Sequence, residues 1–123
     1  MSQYFQAGED VLWNPATAVA RLFTDTAEAL ARLVDRPSGL GPMVEDECRI
    51  DVPVFAAFVD VLVRRYARSN HDVLKALMEG FTGTAIVLAE RAGAVVPALT
   101  EMPDDPGVRR LVEVSRRFAG IAR

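Results

Sequence analysis

The chain has 123 residues, of which half are hydrophobic and a quarter are charged, and its net charge at pH 7 is −3. This length and composition predict a single globular domain over residues 1–123 and exclude an intrinsically disordered chain. The negative charge argues against nucleic acid as a partner. No apolar run approaches the roughly 20 residues that span a bilayer, so we expect no membrane partner.

The N-terminus and the cysteine content indicate the compartment. The chain begins Met-Ser-Gln-Tyr, without the basic start and apolar core of a signal peptide. Its single cysteine, Cys48, cannot form an internal disulfide, which agrees with a reducing environment. A cytoplasmic location is therefore expected, although export without a leader would leave no trace in the sequence.

The first predicted elements lie in residues 1–36. Within residues 1–13, two clusters of aromatic and β-branched residues flank a Gly-Glu-Asp turn, which favours a short β-hairpin. Asn14 followed by Pro15 is a strong helix start, and we expect the helix to run to about Asp35. The side chains expected to face the core recur at helical spacing: Val19, Leu22, Phe23, Thr26, Leu30 and Leu33.

Residues 37–51 are expected to form a long irregular loop. They contain two glycines, two prolines and the acidic run Glu45–Glu47. Loops of this length are uncommon inside a compact domain and are often functional, so Leu40 and Met43 become candidate pocket residues. The acidic run lacks the spaced ligands and central glycine of a calcium loop, so we expect it to be solvated or to contact arginines.

Residues 52–93 hold the strongest pattern, an apolar stripe in steps of three, four or seven. Its members share one helical face: Phe55, Phe58, Leu62, Tyr66, Val73, Leu77, Phe81 and Leu88. Ser69-x-x-Asp72 resembles a capping box that would start a new helix. Because the apolar phase passes through Asn70 and His71 without slipping, we favour one kinked helix or two nearly collinear helices that end at Gly93.

Two glycines, Gly80 and Gly83, interrupt this helical pattern. Each costs a helix roughly 1 kcal/mol relative to alanine, and their spacing places them close together on one surface. That surface would let another backbone approach closely. Tight packing within the domain is one interpretation, and a groove for a ligand or a partner is the other.

A connection punctuated by prolines, over residues 94–104, precedes the last predicted helix, over 105–120. Asp105 and Pro106 provide the start of this helix. Four arginines decorate its outer face without interleaved aromatic residues, so a solvated face is favoured over RNA binding. Together the elements predict an all-α fold, a bundle of four to five helices with a short N-terminal extended or hairpin segment.

The search for catalytic residues finds no constellation that could support an enzyme. His71 is the only histidine, so neither a catalytic triad nor a multi-histidine zinc site can be built within one chain. Cys48 and His71 could form a thiolate–imidazole pair, but nothing in the sequence supplies the geometry. No glycine-rich phosphate loop follows a predicted strand. We therefore expect a protein that is not an enzyme and that uses no metal or cofactor.

Three segments resemble a family of small uncharacterised actinobacterial proteins. They are Tyr-Phe-Gln-x-Gly-x-x-x-Leu-Trp-Asn-Pro at 4–15, Pro-Ser-Gly-x-Gly-Pro-Met-x-x-Asp-Glu-Cys at 37–48, and Leu-Met-Glu-Gly-Phe…Leu-Ala-Glu-Arg-Ala-Gly at 77–93. The resemblance covers residues 4 to about 95 and leaves the last helix as an extension. It implies no activity, because the family has no known function. It does imply that Trp13, Asn14, Pro15 and the segment 39–48 are shared by the family and are site candidates.

The chain is also similar to WXG-type secreted helical-hairpin proteins in its size, its helicity and a tryptophan near a helix start. Trp13, however, is followed by Asn14 and Pro15 instead of x-Gly, and it precedes the first helix instead of joining two. The Tyr-x-x-x-Asp/Glu export signal is missing as well. We do not assign the chain to that family.

The apolar stripe and the two-glycine surface favour a non-enzymatic interaction protein of the adaptor, accessory or immunity type. Its expected partner is a protein, in the first place itself, as a homodimer. The alternative is a small-molecule binding or sensory module with a pocket under the 37–51 loop. The candidate interaction or pocket residues are Trp13, Asn14, Leu40, Met43, Cys48, His71, Gly80 and Gly83.

Overall fold

The computed structural model describes residues 1–120, which form an α+β fold with 62% helix and 16% strand. In chain order the elements are β1 (Tyr4–Ala7), β2 (Asp10–Trp13), α1 (Thr17–Val34), β3 (Leu40–Val44), β4 (Glu47–Ile50), α2 (Val52–Arg68), α3 (Asp72–Arg91), α4 (Pro97–Glu101) and α5 (Pro106–Ala119). The predicted all-α fold is wrong, because the segments before and after α1 are β-hairpins that combine into one sheet.

The four strands form a mixed sheet in the order β2-β1-β4-β3. β1 pairs antiparallel with β2 and parallel with β4, and β4 pairs antiparallel with β3. Successive side chains alternate between the two faces of a strand. Phe5 and Cys48 are cross-strand partners on the face that packs against the helices, and both are fully buried. Their neighbours Gln6 and Arg49 lie on the opposite face.

Residues 37–51 are a hairpin, so the expectation of a long loop is wrong. β3 and β4 are joined by a turn in which Glu45 and Asp46 have positive φ angles of 52° and 64°. Turns with two successive positive φ angles match the twist of the strands they join. Pro42 is tolerated because β3 is an edge strand, where a missing backbone N–H need not interrupt the sheet. Glycine and proline therefore mark a strand edge here.

Helix α1 begins at Thr17, two residues later than Pro15, and ends where Asp35 adopts a left-handed conformation. Its buried row consists of Ala20, Phe23, Ala27 and Leu30. Phe23 and Leu30 face the core as expected, but Val19, Leu22 and Leu33 are exposed, which contradicts the expectation for them. The apolar arc of α1 is wider than the surface that the rest of the domain covers.

The expectation of one kinked helix or two nearly collinear helices over 52–93 is wrong. Helices α2 and α3 fold back on each other, since the ring centroids of Phe58 and Phe81 are 6.3 Å apart. In a continuous helix these residues would be separated by roughly 35 Å. The chain reverses at Ser69–His71, where the Ser69 hydroxyl accepts a hydrogen bond from the His71 N–H at 3.2 Å. His71 caps α3, because its Nδ1 accepts from the Leu74 N–H at 3.2 Å.

Helix α5 packs across α2 and α3 with Val108, Leu111 and Val114 buried. The helix predicted over 105–120 spans Pro106–Ala119, and the Asp105 carboxylate accepts hydrogen bonds from the N–H groups of its first turn. Arg91, near the end of α3, donates to the Leu12 carbonyl at 3.0 Å and to the Ala119 carbonyl at 2.6 Å. It thereby ties the end of α5 to the N-terminal hairpin. Residues 121–123 of the predicted domain lie outside the described residues.

Candidate functional site

An apolar groove with a volume of about 710 Å³ lies between α1 and α3. We call it the α1–α3 groove. None of the described residues that line it is charged. They are Trp13, Asn14, Pro15, Ala16, Val19, Leu22, Phe23, Thr26, Ala76, Leu77, Gly80, Phe81, Thr84 and Phe118.

The floor of the groove is aromatic. Phe23 of α1 and Phe81 of α3 stack with ring centroids 4.6 Å apart, and Trp13 meets Phe23 edge-on at 5.2 Å. All three side chains are buried. These rings fill the junction between the two helices and form the base of the groove. Neighbouring residues of α1 and α3 form its two walls.

The walls expose large apolar side chains. On α1, the wall residues Val19 and Leu22 are 49% and 70% exposed. On α3, the wall residue Leu77 is 73% exposed, and Val73, one turn before it but outside the lining of the groove, is 62% exposed. With ordinary side-chain areas the four expose roughly 400 Å² of apolar surface, which is in the range of the largest patches on typical monomers. Patches of this size on a soluble protein often mark a binding surface, whereas a single exposed leucine does not.

The two candidate glycines have different surroundings. At Gly83, a Cβ atom would lie 2.5 Å from Val114 Cγ1, so this glycine lets α5 pack closely on α3. At Gly80, a Cβ atom would meet no atom of residues 1–120 within 4 Å, and the position opens into the α1–α3 groove. Of the two interpretations of the glycine pair, tight internal packing therefore holds for Gly83, and a groove surface holds for Gly80.

Trp13 and Asn14 also contribute to the groove. Trp13 is buried against Phe5 and Phe23, with the Phe5 ring stacked at 5.3 Å. Asn14 is exposed at the end of the groove that lies next to the N-terminal hairpin. The structure thus brings together Trp13, Asn14 and Gly80 among the predicted candidates.

Leu40, Met43 and Cys48 lie in the second hairpin and do not line the groove. A shallower cleft of about 640 Å³ runs beside this hairpin, and its lining includes Leu40 together with the charged residues Glu28, Arg49 and Asp51. Met43 and Cys48 are cross-strand partners that contribute to the packing between the sheet and the helices. The region predicted to cover a pocket is therefore part of the sheet.

Cys48 is fully buried, and its thiol donates a hydrogen bond to the Gly41 carbonyl at 3.3 Å. Burial raises the pKa of the Cys48 thiol to about 11, and the hydrogen bond to Gly41 offsets part of that effect. A thiol with such a pKa is protonated at neutral pH and is a poor nucleophile. His71 is exposed at the start of α3, where its Nδ1 caps the helix. The structure does not pair the two residues.

The sequence missed the groove walls. Leu22 was assigned to the core, and Leu77 belonged to the apolar stripe that was expected to be covered. Spacing alone gives the same pattern for a buried and an exposed apolar row. The width of the apolar arc on α1 could have indicated the exposed wall residues, because the arc is wider than the row of α1 residues that is buried against the rest of the domain.

Two further searches concern metals and membranes. Among residues 1–120, no group of three or more His, Cys, Asp or Glu side chains is placed so that it could hold a metal ion. None of the helices in this range is long and apolar enough to cross a membrane.

Neither the curated proteins nor the solved structures contain a match to this chain. A family model does match, over residues 1–120, and its description is a family of unknown function. This confirms the resemblance to an uncharacterised family. The expected extent was too short, because the match includes α5, which was expected to be an extension. The chain belongs to the family of unknown function DUF6086.

Proposed function

We propose that this chain is a non-enzymatic interaction protein whose α1–α3 groove binds the apolar face of a helix from a protein partner. The observation that carries the proposal is the exposure of Leu22 and Leu77, at 70% and 73%, on the walls of one uncharged groove. Water in contact with these side chains would be released when an apolar surface covers them.

The spacing of the wall residues supports a helix as the bound element. Val19, Leu22 and Thr26 follow one another at three and four residues on α1, and Leu77, Gly80 and Thr84 do so on α3. Each row spans about two helical turns, or roughly 10 Å. An amphipathic helix presents anchors at the same three-, four- and seven-residue spacing, and such helices commonly bind in grooves between two helices.

The polar groups of the groove support binding over catalysis. The Thr26 hydroxyl donates to the Leu22 carbonyl at 2.7 Å, and the Thr84 hydroxyl donates to the Gly80 carbonyl at 2.9 Å. Both hydroxyls are thus engaged by their own helices. With no charged side chain among the described lining residues, the groove offers neither a general base nor an activated nucleophile.

The proposal is tested by site-specific photo-crosslinking in cells that naturally produce the protein. A photoreactive amino acid at position 77 should give a discrete crosslinked protein, either a second copy or another chain. The matched control is position 95, because Val95 is 70% exposed but does not line the groove. Leu22→Glu should abolish the crosslink from position 77. A crosslink pattern that is the same from positions 77 and 95 would refute the proposal.

A small apolar ligand is the second candidate occupant of the groove. A volume of about 710 Å³ and an aromatic floor are typical of sites for drug-sized molecules. The second hairpin does not cover the groove, so the ligand would lie between α1 and α3 and not under residues 37–51. A ligand at a hundredfold excess over its dissociation constant should add roughly 2.7 kcal/mol to the unfolding free energy. An unchanged melting temperature across a broad metabolite library would exclude this alternative.

A further inference from the structure

We infer that the occupant of the α1–α3 groove is α1 of a second copy of this chain. In this arrangement a two-fold axis relates two antiparallel α1 helices, and each lies in the groove of the other copy, next to Gly80. The inference rests on the proposed function and adds the identity of the partner.

The first support is that α1 has the surface that the groove requires. Its exposed apolar residues, Val19, Leu22 and Leu33, recur at helical spacing beside its buried row, and the half-buried Thr26 lies among them. The same helix therefore forms one wall of the groove and presents an amphipathic face of the kind that fills it. A surface that contains both halves of a contact is self-complementary, which is the requirement for a two-fold interface.

The second support is the amount of apolar surface. A stable interface of standard size buries about 800 Å² on each partner, and somewhat more than half of that area is non-polar. The three exposed wall residues, together with Val73 beside them, provide roughly 400 Å² of apolar area on ordinary side-chain values. The patch is thus of the size that the apolar part of a dimer interface needs.

The third support is the charge pattern along the outer edge of α1. Arg21 and Asp25 are both exposed, one turn apart, on either side of Leu22 in the chain. Neither forms an ion pair with another residue of the described range 1–120. When two copies of α1 lie antiparallel with the two-fold axis at the level of Phe23, Arg21 of each copy comes opposite Asp25 of the other. The edge of the groove is therefore complementary to itself in charge as well.

Gly80 gives the fourth support. Glycine weakens a helix relative to alanine, and within residues 1–120 no neighbouring atom requires it at this position, because a Cβ there would meet none of their atoms within 4 Å. Gly83 differs, since Val114 of α5 occupies the space next to it. An approaching backbone from outside the chain explains why position 80 carries no side chain.

The test is the molar mass of the purified full chain, measured by light scattering and sedimentation over a wide range of concentration. We expect a dimer that dissociates on dilution. Leu77→Glu should raise the dissociation constant by about a hundredfold or more, while the control Val95→Glu, at an equally exposed site, should leave it unchanged.

Two further variants separate docking from a general loss of stability. Gly80→Ala should raise the melting temperature of the dilute monomer and yet weaken dimerisation by about tenfold or more, two effects that misfolding cannot combine. Arg21→Asp and Asp25→Arg should each weaken the dimer by about threefold or more, and the double variant should restore it.

The inference and the proposed function fail in different ways. If the chain stays monomeric at every concentration but still crosslinks to another protein from position 77, the second copy is not the occupant. The inference then fails, and the groove remains a binding site for another protein. A dimer that is insensitive to both Leu77→Glu and Gly80→Ala overturns the inference, because the two copies then meet elsewhere. If the wild-type chain does not dimerise and the photoreactive residue at position 77 gives no crosslink, the inference and the proposed function both fail.

Discussion

The two sides of α3 differ sharply in how completely the rest of the chain covers them. Towards α5, the helix is closed: a Cβ added at Gly83 would lie 2.5 Å from Val114 Cγ1, and Leu111 of α5 is fully buried. Towards α1, it is open: a Cβ built on Gly80 would meet no atom of the described part of the chain within 4 Å, and Leu77 is 73% exposed. Two glycines three residues apart on one helix thus have opposite surroundings, since Gly83 is packed against α5 and Gly80 borders the groove.

The role of a glycine or leucine on a helix therefore depends on which elements pack against that position. Helix α5 buries Val108, Leu111 and Val114 in its contact with α2 and α3 and carries its arginines outside, and only Phe118 near its end reaches the lining of the groove. Helix α1 has an apolar arc that is wider than its contact with the domain, so part of that arc remains in water. The open side of α3 therefore keeps apolar side chains in contact with water, whereas the closed side does not.

The largest expected effect contrasts a leucine of the closed side with one of the open side. Leu111→Ala should lower the unfolding free energy by about 2–5 kcal/mol, because it leaves a cavity in a fully packed contact. Leu22→Ala should change it by less than about 0.5 kcal/mol, since that side chain is mostly in water. Urea unfolding at a concentration where the chain is monomeric measures both. Equal losses would mean that the two sides are packed alike and that the groove is not open in solution.

The sequence predicted the helices better than it predicted their arrangement. The starts at Asp51 and Asp105 follow from local capping chemistry, and both side chains accept hydrogen bonds from the first turn of their helices. The apolar stripe over 55–88 kept its phase through Asn70 because seven residues make nearly two helical turns. Phase therefore could not reveal that the chain reverses there, which depends on the caps at Ser69 and His71.

The sheet was predicted only in part, for a physical reason. The hairpin over 4–13 is local and has a turn signal, whereas the pairing of β1 with β4 joins residues more than forty positions apart. Gly39, Gly41 and Pro42 made the second hairpin look irregular. Of the residues that line the α1–α3 groove, Trp13, Asn14 and Gly80 were among the predicted candidates, whereas Leu22 was expected in the core. Periodicity reports that a row is apolar, and only the packing of the other helices decides whether it is covered.

A second contrast uses the two glycines. Gly83→Ala should destabilise the chain by about 1–3 kcal/mol, because the added methyl group overlaps Val114 in a contact between two helices. Gly80→Ala is the matched control and should stabilise the dilute monomer by about 0.5–1 kcal/mol, the ordinary gain in helix propensity. Thermal and urea unfolding give both signs. A loss of stability at both positions would show that the groove is filled within the monomer.

The smallest expected effect concerns a threonine next to Gly83. Thr82 is fully buried, and within residues 1–120 its hydroxyl has no hydrogen-bond partner. A buried hydroxyl without a partner keeps the cost of its lost hydration, so Thr82→Val, which has nearly the same shape, should stabilise the chain by about 1 kcal/mol. Thr84→Val is the control on the open side, where the hydroxyl is bonded to the Gly80 carbonyl and partly reaches water, so little change is expected. Urea unfolding of the two variants decides between these outcomes. A clear loss of stability in Thr82→Val would mean that this hydroxyl finds a partner in solution, and the closed side of α3 would then depend on a polar contact as well as on packing.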